Sequence, residues 1–248
     1  MSGHSKWATI KRKKGATDAA RGRLFTRLIR EITMAARNGS DPNGNPRLRL
    51  AIETARKSSM PMDNIKRAIL RGSGEGGGAL LEEIMYEGYG PGGIAVLIET
   101  VTDNRNRTVS EIRHLLSRNG GTMAEAGAVA WNFHRMGVVT IPLAGVNEDD
   151  LMMAALDAGA GDVKSDDENF EVYCPIEAFE NVRKALEEKK YNITGASLHF
   201  VPSTLIKVEG KDAEAVLKFM EAIEEHDDVQ NVFSNFDIDE KTMANLTA

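Results

Sequence analysis

Between Asp18 and Arg37 the apolar residues Phe25, Leu28, Ile29, Ile32 and Ala36 recur three and four positions apart, which predicts an amphipathic helix stopped by Asn38-Gly39. A turn cluster, SDPNGNP at Ser40 to Pro46, separates it from a second helix over Arg47 to Ser58. That helix turns Leu48, Ala51, Ile52 and Ala55 inward and Arg49 and Arg56 outward. Pro61 and Asp63 open a third short helix carrying Ile65, Ala68 and Ile69 beside Lys66, Arg67 and Arg71. Three short helices with brief connections predict a small bundle.

The period changes after GSGEGGG (Gly72 to Gly78), a flexible linker by composition. Ile84 to Tyr89 and Ile94 to Val101 read as strands around Gly90-Pro91-Gly92-Gly93, and a helix follows from Thr108 to Asn119. A second pattern then runs strand (Gly137 to Ile141), helix (Asn147 to Ala158), strands near Asp162 to Ser165 and Phe170 to Cys174, helix (Glu177 to Lys189) and strand (Ile193 to Phe200). That βαββαβ order suits a ferredoxin-like unit. The tail adds a strand (Thr204 to Val208), a helix (Lys211 to Glu225) and a strand (Val229 to Phe236), which complete the interrupted pattern of residues 84 to 119. The expected fold class is therefore multidomain α+β. It comprises a helical domain at 1–74 with an arm at 1–17, a discontinuous α+β domain at 79–134 plus 203–248, and a ferredoxin-like domain at 135–202 inserted within it.

Charge changes this picture from architecture to function. Residues 1–74 hold 17 Lys and Arg against 5 Asp and Glu, while the rest holds 14 against 32, so a net charge of −6 conceals a strongly basic module. Clustered cations gain affinity for phosphate by releasing condensed counterions. On the first helix Arg23, Arg27, Arg30 and Arg37 fall on one side, opposite the apolar face, and predict an exposed guanidinium stripe. The arm carries Lys6, Lys11, Arg12, Lys13 and Lys14, no acid, and one aromatic, Trp7. It suits a segment that orders on nucleic acid with Trp7 stacked on a base; the alternative is that Trp7 folds back as an anchor. Candidate phosphate contacts continue at Arg49, Arg56, Lys66 and Arg67, and at Arg105 and Arg107 in an Asn-Arg-Asn-Arg turn that either meets phosphate or caps its helix. The acidic runs Glu148–Asp150, Asp166–Glu168 and Glu224–Asp228 read as solvated element ends that steer polyanions toward the basic end.

Enzyme signatures are weak. Two G-x-G-x-x-G matches, at Gly72/Gly74/Gly77 and Gly88/Gly90/Gly93, lack the strand-then-helix context of a dinucleotide site, and there is no P-loop. His4, His114, His134, His199 and His226 are scattered, and the single Cys174 reads as a small buried strand residue, so neither a metal nor another cofactor is expected. No apolar run approaches membrane-spanning length and the N-terminus lacks a secretory pattern, so the expected location is the cytoplasm, with no membrane partner and no evident small-molecule substrate.

The strings GHSKW (Gly3 to Trp7), RGRLFTRLIREI (Arg21 to Ile32), NPRLRLAIETA (Asn45 to Ala55), MPMDNIKRAI (Met60 to Ile69) and YEGYGPGGIAVLIETVTDNRNRT (Tyr86 to Thr108) resemble the YebC family over essentially the whole chain. Ala128 stands where that pattern has serine, and Gly161 where it has an acid. The resemblance implies a helical domain with two α+β domains, one inserted in the other, and no catalytic residues. It implies either a regulator of transcription binding double-stranded DNA, or a ribosome-associated factor contacting ribosomal RNA and easing translation through proline-rich stretches; its mitochondrial members are translational activators. An enzyme using the interdomain cleft has least support. With few Asn or Gln on the basic helices, contacts should fall mostly on the backbone.

Overall fold

The computed structural model describes residues 18–77, 80–166, 168–239 and 242; the arm candidates Lys6, Trp7, Lys11, Arg12, Lys13 and Lys14 lie outside them. Three helices open the described chain: α1 (Asp18–Ala36), α2 (Pro46–Lys57) and α3 (Met62–Gly72). Their predicted apolar faces meet in one core of Leu28, Ile32, Ala35, Leu48, Ile52, Ala55, Ile65 and Ala68. Buried Asn45 fixes the α1–α2 corner. Its oxygen accepts from Leu48 N at 3.0 Å and its amide donates to the carbonyls of Ala35 (2.7 Å) and Gly39 (2.8 Å), so one side chain caps one helix and ends another. Gly72 belongs to this packing and not to a linker, because any Cβ there would overlap the Thr33 carbonyl and Ala36.

The first sheet is antiparallel with order β3-β1-β2-β9, from β1 (Glu82–Tyr89), β2 (Ala95–Thr102), β3 (Thr122–Ala124) and β9 (Val229–Ser234). Helices α4 (Arg105–Arg118) and α7 (Gly210–Glu224) share a core with it, in which Ile112, Leu116, Phe219, Met220 and Ile223 meet Val96, Ile98 and Val232. The expected strand at 229–236 is broken at Asn235, whose side-chain oxygen accepts from Ala95 N at 2.7 Å. A two-residue strand, β10 (Phe236–Asp237), continues beyond it and pairs in parallel with β8 (Ile206–Lys207).

The second sheet has order β5-β6-β4-β7, from β4 (Phe133–Pro142), β5 (Asp162–Ser165), β6 (Asn169–Cys174) and β7 (Gly195–Pro202), all pairs antiparallel. Helices α5 (Glu148–Asp157) and α6 (Phe179–Glu188) complete the ferredoxin-like βαββαβ unit and fill its core with Leu151, Ala155, Val182 and Leu186. Cys174 is buried there and its thiol is pushed up to about 11 by loss of solvent, as suits a packing residue. Chain entry and exit are stapled together: the Asn132 side chain bonds both the N–H (2.9 Å) and the carbonyl (3.1 Å) of Thr204. Among the described residues no helix is long and apolar enough to cross a membrane.

Candidate nucleic-acid interface

The arginine side of α1 is engaged by the protein itself at Arg23, Arg27 and Arg30, while Arg37 is exposed. The engaged part lies on the turn between α7 and β9, where Arg23 pairs with Glu225 at 3.3 Å, and Arg27 donates to the carbonyls of Val229 (3.0 Å) and Glu224. Arg30 donates to the Asp227 carbonyl and pairs with Asp228 at 2.9 Å. Helix α7 has no basic residue in its last turn, so its terminal carbonyls and the negative end of its dipole need an external cation, and Arg27 supplies one. Burial pulls the Arg27 guanidinium below its ordinary value, Arg23 and Arg30 add to that, and Glu224 and Asp227 oppose it. The expectation of an exposed stripe therefore fails for Arg23, Arg27 and Arg30. The Glu224–Asp228 run, expected to be solvated, is their receptor.

Asp228 is the centre of this joint. Its side chain is 3% exposed and accepts from Arg30, from Arg107 at 3.0 Å and from the Thr108 hydroxyl at 2.7 Å. Burial raises its pKa, but the bonds from Thr108 and Arg107 and the charge of Arg30 outweigh that and hold the carboxyl below its ordinary value. The Asp228 N–H donates to His226 Nδ1 (3.1 Å), which leaves the proton on Nε2, facing Glu111 at 3.0 Å. Glu111, His226 and Asp228 stand close enough together to suggest a metal site, but two guanidinium groups already occupy the same carboxylate. In the 104–107 turn Asn104 caps α4 by accepting from Arg107 N at 3.1 Å, and Arg107 is paired with Asp228. Arg105 is left exposed.

Other arginine contacts fix the bundle to both α+β units. Arg47 bridges Glu31 (2.8 Å) and Glu83 (3.0 Å). Glu53 on α2 faces Arg183 of α6 at 3.7 Å, beside Leu50, which packs on the core of the inserted unit. The cations turned outward include Arg21 on α1 and Arg37 at its end, Arg56 and Lys57 on α2, and Lys66 and Arg67 on α3, with Arg49 half-buried two turns before Arg56 on the same side of α2. Arg67 reaches the Asn64 oxygen and the Asp63 carbonyl of its own helix.

One feature escaped sequence reasoning altogether. Trp131 is 71% exposed, in a segment gripped by buried Glu87, which accepts the N–H groups of Gly127 (2.6 Å), Val129 (2.7 Å) and Ala130 (2.8 Å). The only cue was an acid, Glu87, between Tyr86 and Gly88 late in the first strand of the hairpin.

Residues 5–75 match the TACO1/YebC protein N-terminal domain and residues 81–236 match the TACO1/YebC second and third domain. The chain belongs to the TACO1/YebC family. Relatives in this family include a probable transcriptional regulatory protein of Solibacter usitatus, 57% identical over 100% of both chains, and one of Chlorobaculum parvum, 56% identical over 99% of both. A conserved hypothetical protein of Aquifex aeolicus, whose crystal structure is known, is 44% identical, covers 90% of this chain and 93% of its own, and superposes with a TM-score of 0.82.

Proposed function

We propose that this TACO1/YebC-family protein is a non-enzymatic, nucleic-acid-binding regulator of gene expression acting in the cytoplasm. Phosphate is taken by the outward cations of the helical bundle and by the basic arm, and not by Arg23, Arg27 and Arg30 of α1. The observation that carries this reading is that Arg37, Arg56, Lys66 and Arg67 remain exposed, whereas Arg23, Arg30 and Arg47 are paired with the protein's own acids and Arg27 with its carbonyls. The names borne by full-length relatives support a regulatory role. The non-enzymatic part rests on how the buried carboxylates are used: Glu87 holds a loop, Glu171 bonds the Tyr173 hydroxyl and Asp228 holds arginines.

The geometry favours backbone and shape recognition over base reading. α1 is covered by the α7–β9 turn and α2 leans on α6, while on α3 the amide oxygen of Asn64 is engaged by Arg67. Folded RNA, including ribosomal RNA, is the target class this suits, with double-stranded DNA as the other.

The test compares two glutamine sets in the full chain, titrated against a DNA duplex and a structured RNA over a range of salt. Arg37→Gln/Arg56→Gln/Lys66→Gln/Arg67→Gln should weaken binding and lower the steepness of log K against log salt by about three units. Unchanged affinity and slope in that variant would remove these residues from the mechanism. Cosedimentation with ribosomes against crosslinking to chromosomal DNA separates the two targets.

A further inference from the structure

Leaving an indole in water sacrifices the burial that normally stabilises so large an apolar group, and Trp131 is not merely exposed but held in place. Its Nε1–H donates to the Ala128 carbonyl at 3.0 Å, and the hydroxyl of Tyr89, itself 41% exposed, reaches the same oxygen at 3.4 Å. The two rings are therefore drawn to one point on the surface. Before Trp131 the backbone is fixed by Glu87, and after it by the Asn132–Thr204 staple. This pair of rings is pre-organised, so little ordering entropy remains to be lost when a partner arrives.

We infer that Trp131 and Tyr89 form a stacking platform for an unpaired nucleobase, an inference that rests on the nucleic-acid reading above. The choice of occupant follows from the donors. A proline-rich or other extended peptide presents backbone carbonyls, and a face that recognises it must offer N–H or O–H groups to them. Here the indole N–H and the phenol O–H are both directed to the protein's own carbonyl, so what faces outward is π-surface. Such a surface suits any base and reads none, which fits the backbone-directed binding argued for the helical bundle. His134, exposed three residues further along, adds a polar group to this segment, which carries one exposed acid, Glu125. Duplex nucleic acid, whose bases are stacked on one another, gains nothing from this platform.

The experiment uses the full chain and a single-stranded RNA of ~12 nucleotides containing 5-bromouridine, irradiated and mapped by peptide mass spectrometry. Crosslinks should fall on the segments bearing Trp131 and Tyr89. Trp131→Leu should weaken binding of the single strand roughly five- to a hundred-fold, and Trp131→Phe should retain most of it, with duplex binding unchanged in both. Because the side chain is exposed, thermal unfolding of both variants should match the parent. Tight single-strand binding with crosslinks confined to residues 1–75, or an unchanged Trp131→Leu affinity, overturns the platform and leaves the nucleic-acid reading standing. Failure of the parent protein to bind any nucleic acid overturns both. Protection of Trp131 from oxidation by a proline-rich peptide, and not by the oligonucleotide, would assign the platform to a peptide and overturn the inference.

Discussion

At the scale of single residues, Asp228 shows how an ionised group becomes tolerable inside a protein. Removal from water disfavours its charge, and two guanidinium groups and a hydroxyl restore it. Asp228→Asn leaves Arg30 and Arg107 facing a neutral amide and should cost about 3–5 kcal/mol, read by urea denaturation at neutral pH. The sign of the pH effect follows from the direction of the shift. A carboxyl held below its ordinary pKa stabilises the fold at every pH above that ordinary value, about 3.9, and the contribution fades as pH falls through the lower native value. The parent protein should therefore lose stability steeply on acidification below about pH 4, and Asp228→Asn should flatten that limb. An equal acid limb in both proteins would show that Asp228 is not held charged by its neighbours.

At the scale of elements, the alternation of period along the chain was enough to place most helices and strands, because burial of one face dictates spacing of 3.6 or 2. β3 escaped because three residues, Thr122 to Ala124, are too few to show a pattern, and its pairing with β1 is imposed by neighbours distant in sequence. Gly72 was misread for a related reason: composition marks GSGEGGG as a linker, yet the first glycine is there because α3 approaches the backbone of α1 too closely for a side chain. The 127–130 loop gives the prediction that belongs here. Burial raises the pKa of Glu87, and three N–H donors more than reverse that, so the charged carboxylate is what shapes the loop. Glu87→Ala strands those donors. Hydrogen exchange at Gly127, Val129 and Ala130 should accelerate by orders of magnitude while the β4–β7 sheet stays protected. Retained protection at those amides would mean that the loop is held by its own turns.

At the scale of the whole molecule, sequence reasoning correctly found a basic front and an acidic remainder and then assigned them to different partners. Each end of the α1 contact was visible alone: three arginines at positions 23, 27 and 30, an acidic run at 224–228, and a helix before it with no base in its last turn. What no local pattern shows is that residues about two hundred positions apart meet, since that is decided by how three separately cored units pack. The consequence separates two roles that the charge count merges. Arg23→Gln/Arg27→Gln/Arg30→Gln removes the cations from the end of α7 and leaves Asp228 with Arg107, so the bundle should loosen from the first sheet. Unfolding followed by helix content and by hydrogen exchange in the first sheet should then cease to coincide. The same variant should lose little of the salt dependence of polyanion binding, because those guanidinium groups are already engaged by the α7–β9 turn. The outward set, Arg37, Arg56, Lys66 and Arg67, should behave in the opposite way, with binding reduced and cooperativity kept. If the α1 set instead lowered the salt slope as much as the outward set, the joint would have to open when polyanion binds, and the acidic turn would be a competitor for phosphate rather than a fixed anchor.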